Sequence, residues 1–151
     1  MIRAYVGLGA NLGDARATLM WAMDALNELA NTSVVARSSL YRTAPVDAAG
    51  PDFVNAVVSL DTGLDAPGLM AQLQALENRA GRERPYRHAP RTLDLDLLLF
   101  GDVRIDTPTL CVPHPRLSER AFVLVPLAEI APECVRSDQL AAVKSQAISQ
   151  I

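Results

Sequence analysis

The segment Arg91-Thr92-Leu93-Asp94-Leu95-Asp96-Leu97-Leu98-Leu99-Phe100 places two carboxylates, at i and i+2, inside what otherwise reads as a buried apolar strand. Side chains alternate along a strand, so Asp94 and Asp96 are expected on one face with Leu98 and Phe100, and Leu93, Leu95, Leu97 and Leu99 on the other. Anions there are costly unless a cation or strong donors meet them, and Arg79, Arg82, Arg84, Arg87 and Arg91 stand just upstream. An acidic pair beside an arginine run points to metal and phosphate. Mg²⁺ keeps several waters and takes one or two carboxylates plus substrate phosphates, which is what such a pair offers. The plainer alternative is a solvated strand face, which Leu98 and Phe100 on the same side disfavour.

Gly81, Pro85 and Pro90 forbid regular structure between the acidic strand and the residues before it, leaving a loop of about ten residues, a length at which loops serve as lids or binding elements. Its arginines carry planar donor forks suited to phosphate oxygens, although Glu77 and Glu83 could equally balance them on an ordinary surface. His88 in the loop and His114 between Pro113 and Pro115 have neither an HxxxH nor a Cys partner, so a zinc site is not expected. Asn55 is the one strongly polar residue on the face of Phe53 and Val57. A buried Asn must find partners, and a flat heterocycle with amide-like edges would supply them. Phe53 and Phe122 could offer aromatic surfaces to such a ring, or could simply be core.

These residues need elements to position them. Residues 2–8 read as a strand, and Gly9 to Asp14 supply turn residues and a candidate N-cap. Leu19, Met23 and Leu26 then mark a helix from near Ala15 to about Ala30. Residues 34–43 read as a strand stopped by Ala44-Pro45, and residues 53–60 as a second central strand. Pro67, the stripe Leu69, Leu73, Leu76 and Ala80, and Gly81 just beyond give the clearest helix. After the acidic strand, Gly101-Asp102 turns into residues 103–105, and Pro108, Pro113 and Pro115 keep the chain irregular. Ser118 can cap a short helix, Pro126 and Pro132 break the next stretch, and residues 139–148 read as a last amphipathic helix. The order β, α, β, β, α, β is that of the α+β ferredoxin-like split βαβ motif, an antiparallel sheet with helices packed on one face.

At 151 residues, half of them hydrophobic and without internal repeats, the chain is expected to form one domain over residues 1–151. The net charge of −3, with Lys144 as the only lysine, argues against a broad basic surface for nucleic acid. Cys111 and Cys134 are too far apart for a CxxC motif and too few for a disulfide framework, and are expected to be buried and unpaired. Residues 1–9 lack signal-peptide features, and no apolar run approaches the roughly 20 residues that span a bilayer, so a cytoplasmic protein without membrane partners is expected. Gly7 to Gly13 resembles a dinucleotide fingerprint, but GxGxxG would need Gly where Leu12 stands, and turn glycines are the better reading. A ligand-binding regulatory module would have no need of Asp94 and Asp96 beside Arg82 and Arg91. Residues 53–60 also lack the basic and aromatic pattern of an RNA-reading sheet.

Taken together, Tyr41-Arg42-Thr43-Ala44-Pro45, Phe53-Val54-Asn55-Ala56-Val57, the run from Gly81-Arg82 to Arg91-Thr92-Leu93-Asp94-Leu95-Asp96, and Val112-Pro113-His114-Pro115-Arg116 resemble the 6-hydroxymethyl-7,8-dihydropterin pyrophosphokinase family of folate biosynthesis. The resemblance covers about residues 2–133 and agrees with the ferredoxin-like order. It implies transfer of pyrophosphate from ATP to the pterin hydroxymethyl oxygen, leaving AMP. Asp94 and Asp96 would hold two Mg²⁺ ions, and Arg82 and Arg91 would stabilise charge on the transferred group. Gln74, Arg84, Arg87, His114 and Arg120 would contact ATP. Asn55, with Thr43, Ala44 and Val46, would read the pterin edge, while Phe53 and Phe122 sandwich its ring. A monomer acting on ATP and a dihydropterin is implied. Two departures stand out: His88-Ala89 replaces a common Trp-Gly, and Gly9-Ala10-Asn11 replaces Gly-Ser-Asn.

Overall fold

In the computed structural model, which describes residues 1–11, 13–44, 51–81 and 93–151, the chain begins with β1 (Ile2–Ala10), α1 (Ala15–Asn27), β2 (Thr32–Arg37), β3 (Tyr41–Thr43) and β4 (Phe53–Thr62). It continues through α2 (Ala66–Ala80), β5 (Asp94–Phe100), a small hairpin of β6 (Ile105–Asp106) and β7 (Cys111–Val112), α3 (Ala121–Ile130), α4 (Ser137–Ala142) and β8 (Ile148–Gln150). The helix starts follow from local chemistry. Asp14 Oδ1 accepts the Ala17 N–H at 3.0 Å and Asp65 Oδ1 accepts the Gly68 N–H at 2.7 Å, each satisfying a first-turn donor that the helix itself leaves open. Pro67 sits in the first turn of α2, where its missing N–H costs nothing, and Gly81 ends it.

The main sheet runs β5-β1-β4-β3-β8, with β2 also paired to β4, and every pair is antiparallel. This is the ferredoxin-like arrangement expected from the element order. Ala4, Val6, Leu8, Val58, Leu60, Leu95 and Leu97 turn to one face, where they pack with Leu19, Met23 and Leu26 of α1 and Leu69, Leu73 and Leu76 of α2. The opposite face is not bare. Tyr5, Val57 and Leu98 meet Ala121, Val123, Leu124 and Leu127 of α3, so helices lie on both faces and the one-sided packing expected from the first two helices is incomplete.

Several boundaries differ from expectation for identifiable reasons. The strand expected over residues 34–43 is two, because Ser38 buries its hydroxyl to accept the Val57 N–H and donates its own backbone N–H to the Val57 carbonyl between β2 and β3. Gly7, Gly9 and Ala10 lie inside β1 and are not turn residues, leaving Gly13, at φ 60°, as the turn glycine. Residues 103–104 are outside any strand, and β6 starts at Ile105. Ser118 caps nothing; it lies within a three-residue 3₁₀ turn, Leu117–Glu119. Pro126 does not break α3 but lies buried within it, giving up only the one N–H that would have reached the Phe122 carbonyl. In place of a helix over residues 139–148, α4 stops at Ala142 and the chain re-enters the sheet as β8. Cys111 and Cys134 are half-buried and form no disulfide. Among the described residues no helix is long and apolar enough to cross a membrane.

Candidate functional site

On the α3 side of the sheet, β1 contributes Gly7 and Gly9 where side chains would otherwise stand. Asn55 of β4 pairs with Gly9 from one side and Asp94 of β5 from the other; one step along, Gly7 lies between Val57 and Asp96. The N-terminal end of α3 overhangs this floor. The resulting cleft, about 800 Å³, is lined by Asn55, Asp94, Asp96, Thr43 and Phe53 from the sheet, by Ala44 just beyond β3, and by Arg116, Glu119, Arg120, Phe122 and Gln146 from the overhanging segments.

Its two ends differ in chemistry. Asn55 is 4% exposed, and its Nδ2 donates to Thr43 Oγ1 at 2.7 Å, which settles the amide's orientation on β4. Arg120 holds its guanidinium 5.2 Å from the centre of the Phe122 ring, a cation–π pair facing Phe53 and Asn55 across the cleft. At the acidic end, Asp94 is exposed and Asp96 half-buried. The pairing of β5 with β1 slips by one residue, because Tyr5 faces Leu99 and Val6 faces Leu97, so Leu98 is an extra residue. Its carbonyl accepts the His114 N–H at 2.9 Å and so brings His114 beside the acidic pair, with Nε2 3.9 Å from Asp96 Oδ1. The bulge also corrects the expected alternation. Asp94, Asp96 and Leu98 do share a face, but beyond the bulge Phe100 turns to the α1 and α2 side with Leu93, Leu95 and Leu97.

His114 Nδ1 accepts the Arg116 backbone N–H at 3.1 Å, so the neutral ring carries its proton on Nε2, aimed toward Asp96. Burial pushes the His114 pKa down; the Asp96 charge works against this, and Arg120 and Arg116 add to it. Glu77 of α2 accepts the Leu95 N–H at 2.8 Å and so fixes the start of β5. Asp94 and Asp96 are a two-carboxylate donor set, and the described residues hold no cluster of three His, Cys, Asp or Glu side chains able to bind a metal alone. Such a pair fits a hard cation that completes its shell with water and phosphate oxygens.

Of the residues singled out from the sequence, Thr43, Ala44, Phe53, Asn55, Asp94, Asp96, Arg120 and Phe122 line the cleft together. His114 stands next to Asp96, and neither it nor Gln74, which is exposed on α2, is among the residues lining the cleft. Val46, Arg82, Arg84, Arg87 and Arg91 lie outside the described residues. Gly7, Gly9, Arg116, Glu119 and Gln146 also line the cleft and were not singled out from the sequence. Gly7 and Gly9 carried a usable signal, since glycine inside a strand marks a close approach. Gln146 carried none, being one polar residue in a tail that reads as helix.

The family model for 7,8-dihydro-6-hydroxymethylpterin-pyrophosphokinase (HPPK) matches residues 5–132. A 2-amino-4-hydroxy-6-hydroxymethyldihydropteridine pyrophosphokinase of Pseudomonas aeruginosa is 49% identical over 132 residues, covering 87% of this chain and 82% of that one. The enzyme of the same name from Bacillus subtilis is 46% identical over 130 residues, covering 84% and 77%. Among solved structures, an HPPK-DHPS chain in complex with substrates superposes with a TM-score of 0.72 at 13% identity, over 95% of this chain and 43% of that longer one. A wild-type Plasmodium falciparum HPPK-DHPS with SDX-DHP gives 0.70 at 14% identity, covering 97% and 45%. At these identities the solved chains speak for the fold, and this chain spans less than half their length.

Proposed function

The chain belongs to the 7,8-dihydro-6-hydroxymethylpterin-pyrophosphokinase family and transfers pyrophosphate from ATP to the hydroxymethyl group of 6-hydroxymethyl-7,8-dihydropterin, a step of folate biosynthesis; from that premise we propose which of its residues do the work. One observation carries the assignment: the Asn55 amide and the Asp94 and Asp96 carboxylates open into a single cleft on either side of Gly9.

The pterin's polar edge lies against Asn55 and Thr43, beside Ala44 and Val46, with its ring between Phe53 and Phe122. Asn55 and Thr43 already bond each other, so the reading pair is held in place before the ligand arrives. This leaves the hydroxymethyl group directed along β1 toward the acidic end. Asp94 and Asp96 hold Mg²⁺, two ions in the full complex. Bound there, Mg²⁺ supplies positive charge to the triphosphate oxygens and favours ionisation of the attacking hydroxyl. Arg120 and His114, with Gln74, Arg84 and Arg87, hold the nucleotide, and Arg82 and Arg91 meet charge that builds on the transferred group. The bond from the hydroxymethyl oxygen to the β-phosphorus forms as the β-phosphorus bond to the oxygen kept by AMP breaks, and the hydroxyl proton passes to solvent.

Calorimetry with each ligand separately tests the two-ended assignment. Asn55→Ala should cost roughly 1–3 kcal/mol in pterin affinity, because the ligand's polar edge loses its partner, and little in affinity for magnesium with a non-hydrolysable ATP analogue. Asp96→Asn should do the reverse. Equal losses for both ligands in both variants would refute the assignment. Chromatography of the wild-type products should show AMP; ADP with a singly phosphorylated pterin would place attack at the terminal phosphorus.

A further inference from the structure

Gln146 lies beyond the residues matched by the family model, which end at 132, yet it lines the cleft. Its Oε1 accepts the Ala121 N–H at 2.9 Å, and its Nε2 donates to the Glu119 carbonyl at 2.8 Å. The residue between these two groups is Arg120, the N-cap of α3, whose own side chain makes no capping bond. The Arg120 carbonyl in turn accepts the N–H groups of Val123 and Leu124. One side-chain amide therefore holds both peptide groups flanking Arg120 and supplies the acceptor that α3 would otherwise lack at its first residue. Two residues later Ile148 enters β8 and pairs with Thr43, which itself accepts the Asn55 hydrogen bond. Residues 146–148 thus tie the wall bearing Arg120 and Phe122 to the strand bearing Thr43.

We propose that Gln146 is a positioning residue for the pyrophosphoryl transfer. Anchored by β8, its amide sets the separation between the Phe122 wall and the Asn55 floor, and so the width of the slot that takes the pterin ring. The proposal rests on the reading of Phe122 as a ring contact and Arg120 as a nucleotide contact. An amide suits the role because it donates from one atom and accepts at the other; a carboxylate keeps the bond to Ala121 but faces the Glu119 carbonyl with a second acceptor.

The test is a double-mutant cycle on the full chain, with Gln146→Ala, Phe122→Ala and the pair, reading the pterin Kd by calorimetry and Tm alongside. Gln146→Ala should raise Kd roughly fivefold to tenfold in the wild-type background. In the Phe122→Ala background it should raise Kd by less than about twofold, since the side chain through which it acts is gone. Gln146→Glu, which keeps half of the clamp, should fall between, and it carries the test if the alanine variant fails to fold. The same loss in both backgrounds would mean general loosening of α3 and would overturn the proposal. So would a weakened Phe122→Ala beside an unchanged Gln146→Ala, which leaves the reading of Phe122 standing. An unchanged Phe122→Ala would remove both.

Discussion

Gly9 faces Asn55 across the β1 and β4 pair so closely that a Cβ added to Gly9 would stand 2.9 Å from Asn55 Oδ1. Asn55 is buried and bonded to Thr43 on its other side, so its amide cannot swing clear without breaking that bond. Gly9→Ala should therefore destabilise the fold by about 1–3 kcal/mol, the usual cost of overpacking, and weaken pterin binding by displacing the reading amide. Asn55→Ala added to Gly9→Ala should restore part of the stability but none of the binding. Equilibrium denaturation and calorimetry on the two single variants and the double would show it. Simple additivity in stability would mean that the two residues do not crowd each other.

How far this was legible in the sequence depends on which force sets each feature. The acidic pair and Asn55 break strong apolar patterns, so they stood out, and Asp14, Pro67 and Gly81 carry local helix-end chemistry that needs no tertiary context. The face of Phe100 was misread because a bulge is a pairing event between β1 and β5, and no period within β5 encodes it. The tail failed in the same way. A stretch such as residues 139–148 has a helical pattern, but Ile148 meets an unfilled edge at β3, and strand pairing wins. Gln146 could not have been found, because its role exists only through Glu119 and Ala121, which lie 27 and 25 residues away.

Asp94→Asn and Asp96→Asn should each remove most turnover with secondary structure unchanged, because the amide keeps the shape and loses the charge that holds magnesium. Without metal, each variant should be as stable as the wild type or more so, since relieving repulsion between neighbouring carboxylates favours the fold. Circular dichroism, melting and turnover measured together would decide it. Full activity in both variants would reduce the pair to a structural feature.

If Arg82 and Arg91 meet charge that develops only during transfer, alanine at either should raise the barrier by about 2–4 kcal/mol while ground-state binding changes much less. Lysine should recover part of the loss, because it restores charge without the bidentate fork. Arg84→Ala and Arg87→Ala are the comparison, with effects expected mainly on nucleotide affinity. Single-turnover kinetics on all four would separate the roles, and equal effects at every position would abolish the distinction.

The far end of α3 is held by Glu129, whose carboxylate accepts the Tyr41 hydroxyl at 2.6 Å and both the backbone N–H and hydroxyl of Ser39. Burial pushes the Tyr41 pKa up to about 12, and the bond to Glu129 adds to the shift. Burial would raise Glu129 too, but the bonds from Tyr41 and Ser39 hold its carboxyl below its ordinary value. Because the folded-state pKa of Tyr41 lies above its unfolded value near 10, its contribution to stability is complete below that pH and is lost as pH rises through about 12. Tyr41→Phe removes both the bond and the titration. It should cost about 1–2 kcal/mol near pH 8, where Glu129 loses a donor. Between pH 10 and 12 the wild type should lose its advantage over the variant. Urea unfolding of both proteins at a series of pH values measures the gap directly, and a gap that stays constant up to pH 12 would show that Tyr41 titrates alike in the folded and unfolded chains.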